Sequence, residues 1–113
     1  MWRDDAFLLD MLLAIRKILD YAAEHDLPTF SDDSLTQDAI IRQFTVLGEA
    51  SNRISSEFRS QHSEIPWKEI IGFRNVVVHN YFEINIEEVW RIIQEDLPGL
   101  CPLLEQLVPP EET

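Results

Sequence analysis

Arg74, His79 and Tyr81 stand in the run Arg74-Asn75-Val76-Val77-Val78-His79-Asn80-Tyr81, spaced R-x4-H-x-Y. A guanidinium clamps a phosphate and steadies the charge that develops on it, an imidazole moves a proton near neutral pH, and a phenol offers an acceptor hydroxyl. Together they suit RNA cleavage in which the adjacent 2′-hydroxyl attacks phosphorus, a reaction that needs a proton acceptor, a proton donor and a cation but no metal. His79 is then the acid or base, Arg74 the phosphate clamp, and Tyr81 a positioner of the phosphate or a base. The bland alternative is a buried Tyr81, a capping His79 and a surface-paired Arg74.

Helical geometry restricts how these groups meet. On an ideal helix Arg74 and Tyr81 lie about 20° apart, but His79 lies about 140° round from Arg74. Either the helix unwinds near Asn80, or residues of two copies meet across a two-fold axis. Asn75, four residues before His79, shares its face and is placed to orient the ring.

Other chemistry-bearing residues are fewer. Glu49, after Gly48 in the second long segment, is either an ion-pair partner for Arg74 or a solvated carboxylate. Gly48 itself is expected to permit close helix approach. Arg42 and Arg53, eleven residues apart and so close to three helical turns, share a face that could track an RNA phosphate chain, or they pair with neighbouring acids. His25 and His62 read as solvated histidines, since no histidine pair has the helical spacing of metal ligands, and no metal site is expected. Trp67 and Trp90, each among apolar neighbours, read as core anchors.

Size and composition bound the scaffold. The chain has 113 residues and is 45% hydrophobic, enough for one domain with one core, expected over residues 1–108 with a frayed tail at 109–113. Its net charge of −12 opposes any nonspecific grip on a nucleic-acid backbone, which depends on Lys and Arg displacing counterions. A site with a few aimed arginines is still open, and the acidic body equally suits a face for a basic partner. Cys101 is the only cysteine, so neither an internal disulfide nor a thiolate cluster can form. An acidic start and the lack of a long apolar run lead to the expectation of a cytoplasmic protein without a membrane span.

The apolar pattern is that of an all-α, up-and-down antiparallel bundle of four to five helices. Leu8, Leu12, Ile15, Leu19 and Ala22 stripe a first helix over about residues 3–25, stopped at Pro28. Ser34 with Gln37 makes a capping box for a second, in which Ile40, Phe44, Leu47, Ser51, Ile54 and Phe58 carry the stripe to about residue 60. Pro66 suits the first turn of a third helix running into the motif. Val76-Val77-Val78 has strand propensity, yet no other segment alternates with period two to pair with it, so no strand is expected. Asn85, with Glu88 three residues on, caps a fourth helix, and Pro98-Gly99 breaks or kinks it before a last short one.

Four blocks, Gln37-Asp38-Ala39-Ile40-Ile41-Arg42, Leu47-Gly48-Glu49-Ala50, Glu64-Ile65-Pro66-Trp67 and Arg74-Asn75 through His79-Asn80-Tyr81, together resemble the HepT-like toxins of the HEPN superfamily of small helical ribonucleases. The resemblance spans about Asp4 to Leu107. It implies a homodimeric bundle with motif helices of two subunits lining one cleft, and metal-independent endoribonuclease activity centred on Arg74 and His79. It also implies a toxin–antitoxin pair with a minimal nucleotidyltransferase (MntA-like) antitoxin, which uses ATP to transfer AMP to Tyr81. The toxin itself needs no cofactor. Two further readings stand beside it: a non-catalytic dimeric adaptor for that nucleotidyltransferase, and a nucleotide-binding pocket, the latter weakened by the scattering of Gly48, Gly72 and Gly99.

Overall fold

The computed structural model describes residues 2–80 and 83–109. The expected all-α bundle is present. Helix α1 spans Trp2–Ala22, α2 Leu27–Ser31, α3 Ser34–Arg53, α4 Ser56–Gln61 and α5 Trp67–Val77. A short hairpin of β1, Val78–Asn80, and β2, Glu83–Ile84, follows. Then α6, Ile86–Arg91, leads through a π-helical segment, Ile92–Asp96, into α7, Leu97–Leu107.

Of the stripe read on α1, Leu8, Leu12, Ile15 and Ala22 are buried and Leu19 is half-buried. Met11 and Ile18, outside that stripe, are fully buried as well, and the helix packs against α3, where Ile40, Phe44 and Leu47 are fully buried. In turn α3 carries α5, through Phe44 set edge-on to Phe73, with ring centroids 6.0 Å apart. Burial of such side chains, about 1.5–3 kcal/mol each, is the main force holding these helices together. α7 closes the far side of α1 with Leu100 and Leu104, and Arg16 bonds Glu105 across that contact at 2.8 Å.

Several local expectations need correction. The stretch around Pro28 contains α2, whose Asp26 cap accepts from the Thr29 N–H at 2.9 Å while Thr29 Oγ1 returns a bond to the Asp26 N–H. Proline in the first turn starts this helix rather than stopping one. The cap of α3 is Asp33, which accepts from the Thr36 N–H at 3.0 Å; Gln37 instead donates to the carbonyls of Phe30 and Ser31. An aspartate one residue earlier outcompetes the Ser34–Gln37 pair, because its carboxylate also takes the Thr36 hydroxyl.

The second long helix ends at Arg53 and does not run to residue 60. Ile54 and Ser55 are extended, and Ser55 caps α4 by accepting from the Phe58 N–H at 3.1 Å. What holds the break is Asp4 of α1, which is buried and accepts from the Ser55 N–H at 2.9 Å and its hydroxyl at 2.8 Å. The start of α1 thus meets the end of α3, so the two helices are antiparallel. No local pattern signals the break, since Ile54 and Phe58 still fall on the helical stripe.

At the other end Asn85 caps α6 as read, accepting from the Glu88 N–H at 3.2 Å. Pro98 neither ends nor breaks the run. The π-helical segment just upstream widens the ladder where the proline removes a donor, and the chain continues helically to Leu107. Residues 110–113, most of the expected tail, lie outside the described residues.

Candidate active site

Trp67, Ile70 and Phe73 bury one side of α5, leaving Lys68, Ile71 and Asn75 toward the opposite side. Trp67 is anchored by its Nε1–H, which donates to the His62 carbonyl at 2.9 Å, and by an edge-on contact with Phe58. Trp90 meets Phe30 at 5.2 Å. Both tryptophans are core anchors, as read.

Arg74 lies in the last turn of α5, which ends at Val77. Val76 and Val77 therefore belong to the helix, but Val78 begins a strand, against the expectation of none; its partner is Glu83–Ile84. Too short to show alternation, that partner could not be read from sequence. Pairing joins Val78 to Ile84 and Asn80 to Glu83, so one residue more is used on β1 than on β2. That extra residue is His79. A bulge of this kind bends a strand and breaks its regular alternation.

Arg74 and His79 are thus carried by different elements, a helix end and a bulged strand. The 140° separation of an ideal helix does not apply, because the helix has already unwound. The side chains of Arg74 and His79, and the whole of Tyr81, lie outside the described residues. Ile84 and Ile86 pack on the core and tie the hairpin down.

Beside the end of α5 is a cleft of about 230 Å³ lined by Gly48, Glu49, Asn52, Ile71 and Asn75. It brings two of the expected supporting residues, Glu49 and Asn75, to one wall each. Gly48 is buried opposite the Ile71 carbonyl; a Cβ there would stand 3.7 Å from that oxygen, an ordinary contact, so the approach of α3 to α5 does not demand glycine. Glu49 also borders a smaller cleft of about 160 Å³ with Phe7, Asp10, Val46, Ala50 and Arg53. Arg42 and Arg53 are both exposed along the continuous α3, consistent with a shared face.

His25 and His62 are less solvated than expected. His25 Nδ1 is 3.1 Å from Thr29 Oγ1, and its Nε2 is 3.6 Å from Asp33. His62 stacks on Phe58 at 4.3 Å and lies 3.4 Å from Glu64. Among the described residues no group of three or more His, Cys, Asp or Glu is placed to hold a metal ion.

Two cations went unremarked in the sequence. Arg59 of α4 and Lys68 of α5 line a cavity of about 370 Å³ with Ser56, Ser60, Trp67 and Ile71. Nine residues of separation across a turn gave no signal, since their meeting depends on the break at Ser55.

The family described as "Ribonuclease HepT-like" matches residues 11–107, a span that takes in α3, α5 and the whole motif. The chain belongs to the HepT-like ribonuclease family. It is 36% identical over 95 residues to a Methanocaldococcus jannaschii protein named "Putative RNase MJ1380", covering 84% of this chain and 87% of that one. It is also 36% identical over 101 residues to the "Probable ribonuclease HepT" of Thermococcus cleftensis, covering 89% and 92%. No solved structure gives a significant match. As a HepT-like ribonuclease, the chain is an enzyme of the endoribonuclease class. Among the described residues no helix is long and apolar enough to cross a membrane.

Proposed function

We propose that the chain is the toxin of a toxin–antitoxin pair, a metal-independent endoribonuclease whose Arg74 and His79 act on one scissile phosphodiester in a cleft shared by two copies. The observation that carries this reading is the end of α5 at Val77, which puts Arg74 on a helix and His79 on the adjoining bulge. The two groups are thereby freed from the helical angle that keeps them apart.

In the reaction the 2′-oxygen loses its proton to a base and bonds to phosphorus, while the 5′-oxygen leaves and takes a proton from an acid. The products are a 2′,3′-cyclic phosphate and a 5′-hydroxyl. A single imidazole accepts the first proton and returns it to the leaving oxygen, or His79 of each copy takes one role. The Arg74 guanidinium holds the phosphate and offsets the charge gained on its oxygens. Asn75, exposed on the adjoining wall, positions the substrate beside them.

Control falls to a nucleotidyltransferase partner that uses ATP to place AMP on Tyr81. A tethered nucleotide phosphate next to Arg74 occupies the cation and crowds out RNA.

The test is cleavage of RNA in excess chelator by the purified chain, with end-group analysis. Cyclic phosphate ends that disappear in Arg74→Ala and His79→Ala support the reading, and undiminished cleavage in both overturns it. Mass spectrometry after incubation with the partner and ATP should show AMP-sized additions, absent in Tyr81→Phe. Additions that persist in that variant would sink the control mechanism alone.

A further inference from the structure

The cavity between α4 and α5 is basic in a chain of net charge −12. Arg16 and Arg91 are held by acids, Glu105 for the first and Glu88 with Asp96 for the second. Arg59 and Lys68 make no ion pair among the described residues, and no carboxylate lines their cavity. None of the acids nearest in sequence lines the cavity. Glu57 borders the neighbouring cleft with Asp4 and Gln61, Glu64 lies against His62, and Glu69 is exposed on α5.

Arg59 carries a second mark. Its Nε is buried without a hydrogen-bond partner among the described residues. A buried donor on a charged group is costly to leave unmade, and an acceptor arriving from outside would satisfy it. Ser56, one turn before Arg59, is exposed and adds a hydroxyl, whereas Ser60 already donates to the Ser56 carbonyl at 2.9 Å. The floor is apolar, from Ile71 and an edge of Trp67.

The position of this cavity gives it a role. Ile71 lines both it and the cleft that holds Asn75, so the two depressions adjoin. Lys68, Ile71 and Asn75 follow steps of three and four along α5, one stripe leading to the motif. From Lys68 to Arg74 the helix rises about 9 Å. A strand laid along that stripe reaches the basic cavity with a phosphate next to the one being cut.

We infer that Arg59 and Lys68, with Ser56, form a second phosphate subsite, which takes the RNA backbone flanking the scissile bond and seats a ribose over Ile71 and Trp67. The pair supplies aimed positive charge on a chain whose overall acidity opposes nonspecific RNA binding. It anchors the strand while the motif does the chemistry. This inference rests on the ribonuclease reading, so its test measures binding rather than turnover.

The full chain carrying His79→Ala is titrated with a labelled single-stranded oligoribonucleotide at several salt concentrations, with and without Arg59→Gln, Lys68→Gln and both. Each substitution is expected to weaken binding about tenfold, and the pair to flatten the plot of log affinity against log salt by about 0.7 for the lost phosphate. The parent should also gain affinity when a dinucleotide is lengthened, and the double variant should lose most of that gain. Unchanged affinity and slope, or an equal loss on the dinucleotide, overturns the subsite. Lys68 is exposed, so Lys68→Gln decides the matter even if Arg59→Gln unfolds the chain. If the parent and the wild-type chain neither bind nor cut RNA, the ribonuclease reading falls and the subsite with it. RNA that is cut normally while both variants bind it normally removes the subsite alone.

Discussion

Val78 pairs with Ile84 across the hairpin, while Asn80, two residues on, already pairs with Glu83, the residue just before Ile84. His79 is the residue left over. The arrangement depends on what comes after it, because Ile84 packs on the core and Asn85 begins the next helix. The bulge is therefore held from its C-terminal side.

Removing either proposed catalytic group should abolish most activity without unfolding the chain. His79→Ala is expected to lower cleavage about 10²–10⁴-fold, in the range of general acid–base catalysis. Arg74→Ala should cost about 10²–10³-fold, in line with loss of one donor to a developing charge. Initial rates on a defined RNA, with circular dichroism as the fold control, check both.

Asn85→Ala tests the link between hairpin and α6. Loss of the bond from the Glu88 N–H should destabilise the chain by about 1 kcal/mol in urea unfolding, since that is the usual cost of deleting an N-cap. Cleavage should fall as well, because the cap immediately follows β2. An Asn85→Asp variant, which keeps the acceptor, should retain both stability and activity.

Asp4 makes stability pH-dependent. Burial pushes its carboxyl up, but the backbone and hydroxyl bonds from Ser55, helped by the nearby N-terminal charge, hold it below the ordinary 3.8. A group depressed in the folded state stabilises fully above its unfolded value, and that contribution disappears as pH falls through the folded one. Asp4→Asn should therefore be about 1–3 kcal/mol less stable than the parent at pH 7, the scale of a hydrogen-bonded charge lost from a buried site. The gap should begin to close below about pH 3.8, where the unfolded parent takes up its proton first, and vanish as pH falls through the lower folded value. Paired urea titrations at neutral and acid pH measure it, and a gap constant with pH would contradict the assignment.

Phe30 is fully buried and joins α2 to α6 through Trp90. Phe30→Ala should cost about 3–5 kcal/mol, the range for emptying a core aromatic site. Trp90 fluorescence should report the altered surroundings, and a thermal melt the lost stability. Leu35→Ala, at an 80% exposed position of α3, should change neither by much.

The residues themselves determined the helical class, much of the buried faces of α1 and α3, the Asn85 cap and the R-x4-H-x-Y run. Each of these is written in periodicity or in residue type within a few positions, so no distant partner is needed to read it. Tertiary structure alone decided the rest. The second helix stops at Arg53 because Asp4, 51 residues away, takes the bonds of Ser55. That break brings Arg59 to Lys68, and a strand partner of only two residues leaves His79 on a bulge. Local pattern is blind to such features, because the groups that hold them are neighbours in space and strangers in sequence.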